Sequence, residues 1–347
     1  MKSVNPKISV IIPVYHVEIK LLERCLRGLE NQTEQDFEVL MVFDEDISAY
    51  RSLVENYKNR QLALKVLERD HQGVSAARNK GIQNVRGKWI AFVDADDWLE
   101  KEALKVLLTA AEEQTADIVM GEHLMEDGTA SQRHQYLKNP AVFEGVGKQV
   151  FEKDVLKPQT GAGFVWGKLF RRQFLADNRI YFNEMLSAAE DAEFMFRAAC
   201  DAKKIVYITE PCYHYWYNAS SAVRRYQIDY VERYSRAMEA LKQDIDKRKD
   251  KEYCRETYYS CVLYHLLLIV VNYSFHPQSG LSGKEQIRAF KKLLKQPLFR
   301  DALKHVHYKD FSKTRQITLL CIKCRFYRGV RMIAQVRHKQ FRKYAGK

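Results

Sequence analysis

The sequence predicts an α/β fold with a mostly parallel central sheet, followed by a helical C-terminal extension. Three observations predict it. Between Ile8 and Val93, β-branched runs alternate with stretches of helical periodicity, the signature of a sheet covered by helices on both faces. Polar clusters follow three of the predicted strands, at Tyr15–His16, Asp44–Asp46 and Asp94–Asp97. From about Tyr226 onward, strand-like runs cease and helical periodicity takes over.

Taken in order, Ile8–Pro13 (ISVIIP) is a continuous apolar run, as in a strand buried on both faces. Leu21–Asn31 carries apolar residues at 21, 22, 25, 26 and 29, which is helical spacing. Phe37–Phe43 is a second strand, Ser48–Tyr57 a helix, Leu62–Leu67 a short third strand and Val74–Asn84 a helix. Trp89–Val93 is the next strand, and a helix is predicted over Leu99–Glu113. Residues 122–160 mix glycines with polar groups and read as a variable region.

The chain has 347 residues with 46% hydrophobic content, enough for a sizeable core. Its net charge of +13 points to anionic partners. The N-terminus passes directly into a strand, so no signal peptide is expected. The longest apolar run, Cys261–Val271, is too short to span a bilayer and contains His265. Seven scattered cysteines suit reduced thiols better than a disulfide framework. Cys321 and Cys324 lack a second pair, so a helix face is a better reading than a zinc site.

The stretch Trp89–Trp98 (WIAFVDADDW) carries the densest chemistry. Three carboxylates, Asp94, Asp96 and Asp97, repel one another unless a cation or hydrogen-bond donors compensate. One reading is a site for Mg²⁺ or Mn²⁺ and a diphosphate, at the strand end where such sheets bind ligands. The other is a solvated turn with Asp97 capping the following helix. Upstream, Asp70–Gly81 (DHQGVSAARNKG) suits a tight turn into a helix whose N-terminus, with Arg78 one turn in, can receive an anion. It can equally be an amphipathic helix with Arg78 and Asn79 in water. No GxGxxG fingerprint occurs, so a nicotinamide cofactor is not expected.

In their order, ISVIIPVYH, FEVLMVFDED, GVSAARNKG and WIAFVDADD resemble the family 2 glycosyltransferases and their GT-A nucleotide-diphospho-sugar domain. Phe164–Arg171 (FVWGKLFR), Ala189–Arg197 (AEDAEFMFR) and Pro211–Ser221 (PCYHYWYNASS) resemble later motifs of that family. The resemblance covers roughly residues 7–225. It implies a catalytic domain over 1–225 and a helical region over 226–347.

The resemblance implies residue roles. Pro13, Tyr15, Asp44, Arg78 and Asp94 would hold the donor nucleotide, a UDP-sugar before others, and Asp96 would meet Mn²⁺ or Mg²⁺. His214 is a candidate further metal ligand or a packed histidine. Asp191 would be the base that deprotonates an acceptor hydroxyl, although Glu190 and Asp191 also suit a helix start. Glu190, Trp166 and Lys168 would contact acceptor or sugar, with Trp166 equally readable as a core aromatic. Ser220, Ser221, Arg224 and Arg225 read either as a loop that closes over the diphosphate or as a solvated basic turn. One departure stands out: Phe43 and Glu45 occupy positions where the family carries an aspartate and a glycine. The implied enzyme is an inverting, metal-dependent hexosyl- or N-acetylhexosaminyltransferase of bacterial surface-polysaccharide synthesis, acting on a glycan or lipid-linked acceptor.

The last forty residues hold twelve lysines and arginines against Asp310 alone, +11 of the net +13. Within Thr314–Gln340, Leu319, Ile322, Phe326, Val330, Ile333 and Val336 recur at helical steps. A basic helix with an apolar stripe reads as an anchor on an anionic membrane surface, placing the protein on the inner face of the cell membrane. A helix packed on the rest of the chain is the alternative. Nucleic acid is not an expected partner, since no reading motif accompanies the charge. A catalytically silent GT-A protein that binds sugars or partners is the rival to an enzyme.

Overall fold

The computed structural model describes residues 5–345 apart from 59, 61, 218–225, 307, 309 and 310. The chain forms two compact units, Met1–Val155 with Gln159–Tyr217, and Leu156–Pro158 with Asn218–Lys347. The predicted loop residues Ser220, Ser221, Arg224 and Arg225 lie outside the described residues.

The first unit is built on a ten-stranded sheet. Its strands are β1 (Ile8–Val14), β2 (Phe37–Phe43), β3 (Leu64–Glu68), β4 (Trp89–Phe92), β5 (Trp98–Leu99), β6 (Ile118–Glu126), β7 (Ser131–His134), β8 (Ala141–Glu144), β9 (Lys168–Arg171) and β10 (Lys204–Trp216). The main order is β3-β2-β1-β4-β9-β6-β10-β5. The four strands β3-β2-β1-β4 are all parallel, and β10 runs parallel to β6. The parallel expectation holds for that first half. Beyond it, β9 enters antiparallel to both β4 and β6.

Among the described residues, seven helices accompany this sheet: α1 (Ile19–Glu30), α2 (Arg51–Lys58), α3 (Val74–Ile82), α4 (Ala103–Glu113), α5 (Lys148–Val155), α6 (Arg172–Asp177) and α7 (Glu190–Asp201). The apolar face of α1 (Leu21, Leu22, Cys25, Leu26 and Leu29) is buried, as its spacing predicts. Helix α3 lies close on β1: a Cβ at Gly81 would come within 2.5 Å of Ile11, which is why a helix-weakening glycine is kept there. The helix predicted over Leu99–Glu113 begins later. Trp98 and Leu99 pair antiparallel with His214 and Tyr213 as β5, and α4 starts at Ala103 with Glu102 as its N-cap. Asp97 therefore caps no helix. The variable region resolves into the end of β6, a hairpin with β7, strand β8 along β10, and α5.

The second unit is helical among its described residues: α8 (Tyr230–Lys247), α9 (Arg255–Ile269), α10 (Gly283–Leu293), α11 (Pro297–His305), α12 (Lys313–Lys323) and α13 (Tyr327–Ala345). Helix α9 continues as a π turn over Val270–Ser274. Pro297 starts α11 at the position where its missing N–H has no helical partner to lose. The single basic helix predicted over Thr314–Gln340 is two helices, parted where Arg325 takes a left-handed conformation at φ 58°. Leu319, Ile322 and Val330 of the predicted stripe are buried, whereas Phe326 and Val336 are exposed. No helix among the described residues is long and apolar enough to cross a membrane.

Candidate active site

The site gathers at the carboxyl ends of β1, β2 and β4, with α3 and α7 supplying its charged groups. Ser75, Arg78 and Asn79 sit at i, i+3 and i+4, one face of α3, and all three are buried. Asn79 accepts from Phe182 N and donates to Phe182 O, at 2.8 and 2.9 Å. The Ser75 hydroxyl donates to Leu186 O. The segment leading to Glu190 is thereby fastened to α3, so this polar face is not solvated.

Arg78 is the hub. Its Nη1 lies 2.6 Å from Asp191 Oδ1 and 3.4 Å from Glu190 Oε1, and its Nη2 lies 3.0 Å from Asp94 Oδ1. Burial disfavours the guanidinium charge, but Asp191, Asp94 and Glu190 outweigh it and hold the group above its ordinary range. Ala189, the residue before α7, sits at φ 52°, a left-handed conformation that L-residues adopt at a cost. The turn sets Glu190 and Asp191 in the first turn of α7, at the positive end of its dipole. Burial pushes the Asp191 carboxyl up to about 7; Arg78 opposes the shift, and Glu190 and Asp94 reinforce it.

The three carboxylates after β4 have separate surroundings. Asp97 is buried and satisfied, accepting from the Tyr213 hydroxyl and from Trp216 N, each at 2.7 Å. The same Tyr213 oxygen accepts from Asp94 N at 3.0 Å. Asp94 is paired with Arg78. Asp96 has no ion pair among the described residues, and burial followed by repulsion from Asp94 raises it to about 6. A desolvated carboxylate beside a second one is the donor set a hard dication suits. Among the described residues no three of His, Cys, Asp and Glu converge on one point, so such an ion would complete its shell with phosphate oxygens and water.

The turn is held from α1. Arg24 Nη2 donates to Asp96 O at 2.8 Å. Its guanidinium lies 3.9 Å from the Trp98 ring centre and 4.3 Å from that of Trp216. Sequence reading missed Arg24, because a charged residue on a surface helix carries no positional signal. Tyr213 was missed as a tether for the same reason: its partners are distant in sequence.

The remaining expected residues fall as follows. Tyr15 is 47% exposed and stacks on His71 with ring centres 4.1 Å apart, and Pro13 lies partly exposed beside it at the end of β1. Asp44 is buried and accepts from Gln72 N and Gly73 N, with Arg69 and His71 against its oxygens. It fixes the loop that starts α3. Phe43 is a core residue packed on Tyr50. Glu45 accepts from the Tyr50 hydroxyl and pairs with His16. The departure from the family pattern is thus absorbed by packing and by a local tether.

Trp166 is only 5% exposed. It stacks with Phe164 and Tyr213 at 4.5 and 4.6 Å, and Phe164 is the exposed ring of the three. Lys168 is buried, donates to Gly161 O, and is drawn down to about 7 by burial, with Asp191 working the other way. Trp166 thus backs the Phe164 ring, and Lys168 lies close enough to Asp191 to feel its charge. His214, readable as a metal ligand or a packed histidine, lies between Glu126 and Glu100, with its ring nitrogens 2.9 and 3.0 Å from their oxygens, in keeping with the second reading. It also stacks on Trp98. Neither nitrogen is free to meet a metal.

The family model for glycosyl transferase family 2 matches residues 9–179. EpsH of Bacillus subtilis (strain 168), whose assignment as a glycosyltransferase is itself provisional, is 29% identical, with 96% of each chain covered. Among solved structures, residues 1–349 of TarS from S. aureus match with a TM-score of 0.66 at 21% identity, covering 96% of this chain and 92% of that one. TarS, a poly(ribitol-phosphate) beta-N-acetylglucosaminyltransferase, has been solved with UDP and with UDP-GlcNAc. The mannosyltransferase PcManGT of Pyrobaculum calidifontis, solved with GDP-Man and Mn²⁺, matches with a TM-score of 0.52 at 16% identity, covering 96% of this chain and 86% of that one.

Proposed function

The chain belongs to glycosyl transferase family 2, with the GT-A fold of its TarS neighbours, and we propose that it is a metal-dependent, inverting enzyme that uses a UDP-sugar. The observation that carries this reading is the linkage of Asp94 and Asp191 through Arg78 at the carboxyl end of β4. The residues after the strand and the base at the helix start thereby face one reacting centre. We assign catalysis to the first unit and acceptor or membrane attachment to the helical one.

In this reading the nucleoside lies against Tyr15 and Pro13, on a loop that Asp44 holds in place. Asp96, with Asp94, would hold Mn²⁺ or Mg²⁺, which would supply neutralising charge for the departing diphosphate. Arg78 leaves its carboxylates in part to share that charge. Asp191 accepts the proton of an acceptor hydroxyl as its oxygen bonds to the anomeric carbon. The bond from that carbon to the diphosphate oxygen breaks on the opposite face, so the configuration inverts. Glu190 orients sugar or acceptor, and Phe164 offers a ring that Trp166 backs. The acceptor is a glycan or lipid-linked glycan of bacterial surface-polysaccharide synthesis, and the basic segment 308–347 attaches the protein to the anionic inner face of the membrane.

A thermal-shift panel of nucleotide sugars with and without Mn²⁺ tests the reading. Stabilisation by uridine-diphosphate sugars that needs the metal is the expected result. A response from no nucleotide sugar under either condition would overturn it.

A further inference from the structure

The second unit holds a cavity of about 230 Å³ between α9, α12 and α13. A water's share of liquid volume is about 30 Å³, so the space takes a phosphate group with several methylenes. Its walls include Tyr264 and Asn272 on the α9 side, Arg315 and Thr318 from α12, and Ile333 and Arg337 from α13. Leucines and valines complete the apolar part.

Arg315 and Arg337 are unusual among the basic residues of this segment. Neither is fully exposed, and neither has an ion pair or hydrogen bond among the described residues. Arg315 lies over the Tyr264 ring, 4.5 Å from its centre. Burial lowers the Arg337 guanidinium from its ordinary range, and the neighbouring charge of Arg315 lowers it further. Two like charges facing one partly apolar cavity are costly unless an anion joins them.

We propose that this cavity binds the phosphate group of an anionic lipid, with Arg315 and Arg337 clamping its oxygens and the apolar wall receiving the start of its hydrocarbon chain. Paired guanidiniums match phosphate geometry, and the surrounding leucines and valines suit a chain rather than water. The inference rests on the membrane reading of 308–347 only for the source of the ligand. It is independent of the sugar-transfer chemistry.

The test is calorimetric titration of the full chain with dihexanoyl phosphatidic acid below its micelle concentration. The expected result is saturable one-to-one binding that Arg315→Gln with Arg337→Gln weakens about tenfold or more. The control pair Lys323→Gln with Arg328→Gln, outside the cavity, should change it by no more than about twofold. If Arg315→Gln with Arg337→Gln fails to fold, Arg315→Lys with Arg337→Lys carries the test, with a loss of about threefold expected from the missing forks.

Equal affinity for inorganic phosphate would overturn the lipid assignment, and no binding of the short-chain lipid would overturn the site. Vesicles of phosphatidylcholine with about one-fifth phosphatidic acid separate this from the membrane reading. If both double variants lose vesicle binding alike while the short-chain lipid does not bind, membrane attachment stands as diffuse electrostatics and the cavity proposal falls.

Discussion

Arg78 Nη1 lies 2.6 Å from Asp191 Oδ1, a buried ion pair between the middle of α3 and the start of α7. The same guanidinium reaches Asp94 and Glu190, so one positive charge is shared among three carboxylates that would otherwise repel. Replacing Arg78 with alanine leaves those charges buried and unpaired. The expected loss of stability is about 3–5 kcal/mol, read from urea denaturation at neutral pH. Arg78→Lys keeps the charge without the fork and should lose roughly half as much. A change below about 1 kcal/mol for the alanine variant would mean that the network contributes little to the fold.

Ala189 holds a left-handed φ of 52° immediately before Glu190. Glycine adopts that conformation without steric cost, so Ala189→Gly should raise stability by about 0.5–1 kcal/mol, with the melting temperature as readout. A loss of stability would show that the Ala189 methyl packs favourably enough to outweigh the strain.

Arg24 couples α1 to the turn after β4 through Asp96 O and two tryptophan rings. Arg24→Gln removes the cation from between the rings, worth about 1–2 kcal/mol, and frees the turn. Its effect should appear as a smaller thermal shift on adding Mn²⁺ with a nucleotide sugar, beyond any change in the ligand-free melting temperature. An unaltered shift would exclude a positioning role.

The fold and the charged centre were largely legible in the sequence, because both rest on local signals. Ile8–Pro13 and Phe37–Phe43 announce buried strands by their unbroken apolar runs, and Asp94–Asp97 announces itself by charge density after a strand. Three features were not legible. Leu99 read as the start of a helix, because only pairing with Tyr213 and His214 makes Trp98 and Leu99 a strand. Asp97 read as a cap, although its partners Tyr213 and Trp216 lie more than a hundred residues away. His214 could be read either as a metal ligand or as a packed histidine, since nothing in the sequence reveals that Glu100 and Glu126 flank it. All three have one source: a side chain's partners come from the tertiary fold, and short motifs do not encode them.

Stability should also depend on pH in a defined direction. Asp191 titrates at about 7 and Asp96 at about 6, both above the ordinary aspartate value of about 3.9. Between about pH 4 and 7 the folded chain therefore holds protons that the unfolded chain has released, and unfolding free energy falls as pH rises. Melting temperatures of the ligand-free protein should drop from about pH 5 to 8 once other groups are subtracted by comparison with Asp191→Asn and Asp96→Asn, which flatten the slope. Identical slopes in the wild type and both variants would contradict the assignment.

If Asp191 is the base of a sugar transfer, the rate of nucleotide-diphosphate release from a UDP-sugar, compared between wild type and Asp191→Asn, will show it. The wild-type rate should rise with pH through about 7, as the carboxyl ionises. The asparagine variant should be slower by about 10²–10⁴-fold while still binding the donor. A variant within about tenfold of wild type, or a wild-type rate independent of pH across that range, would contradict it.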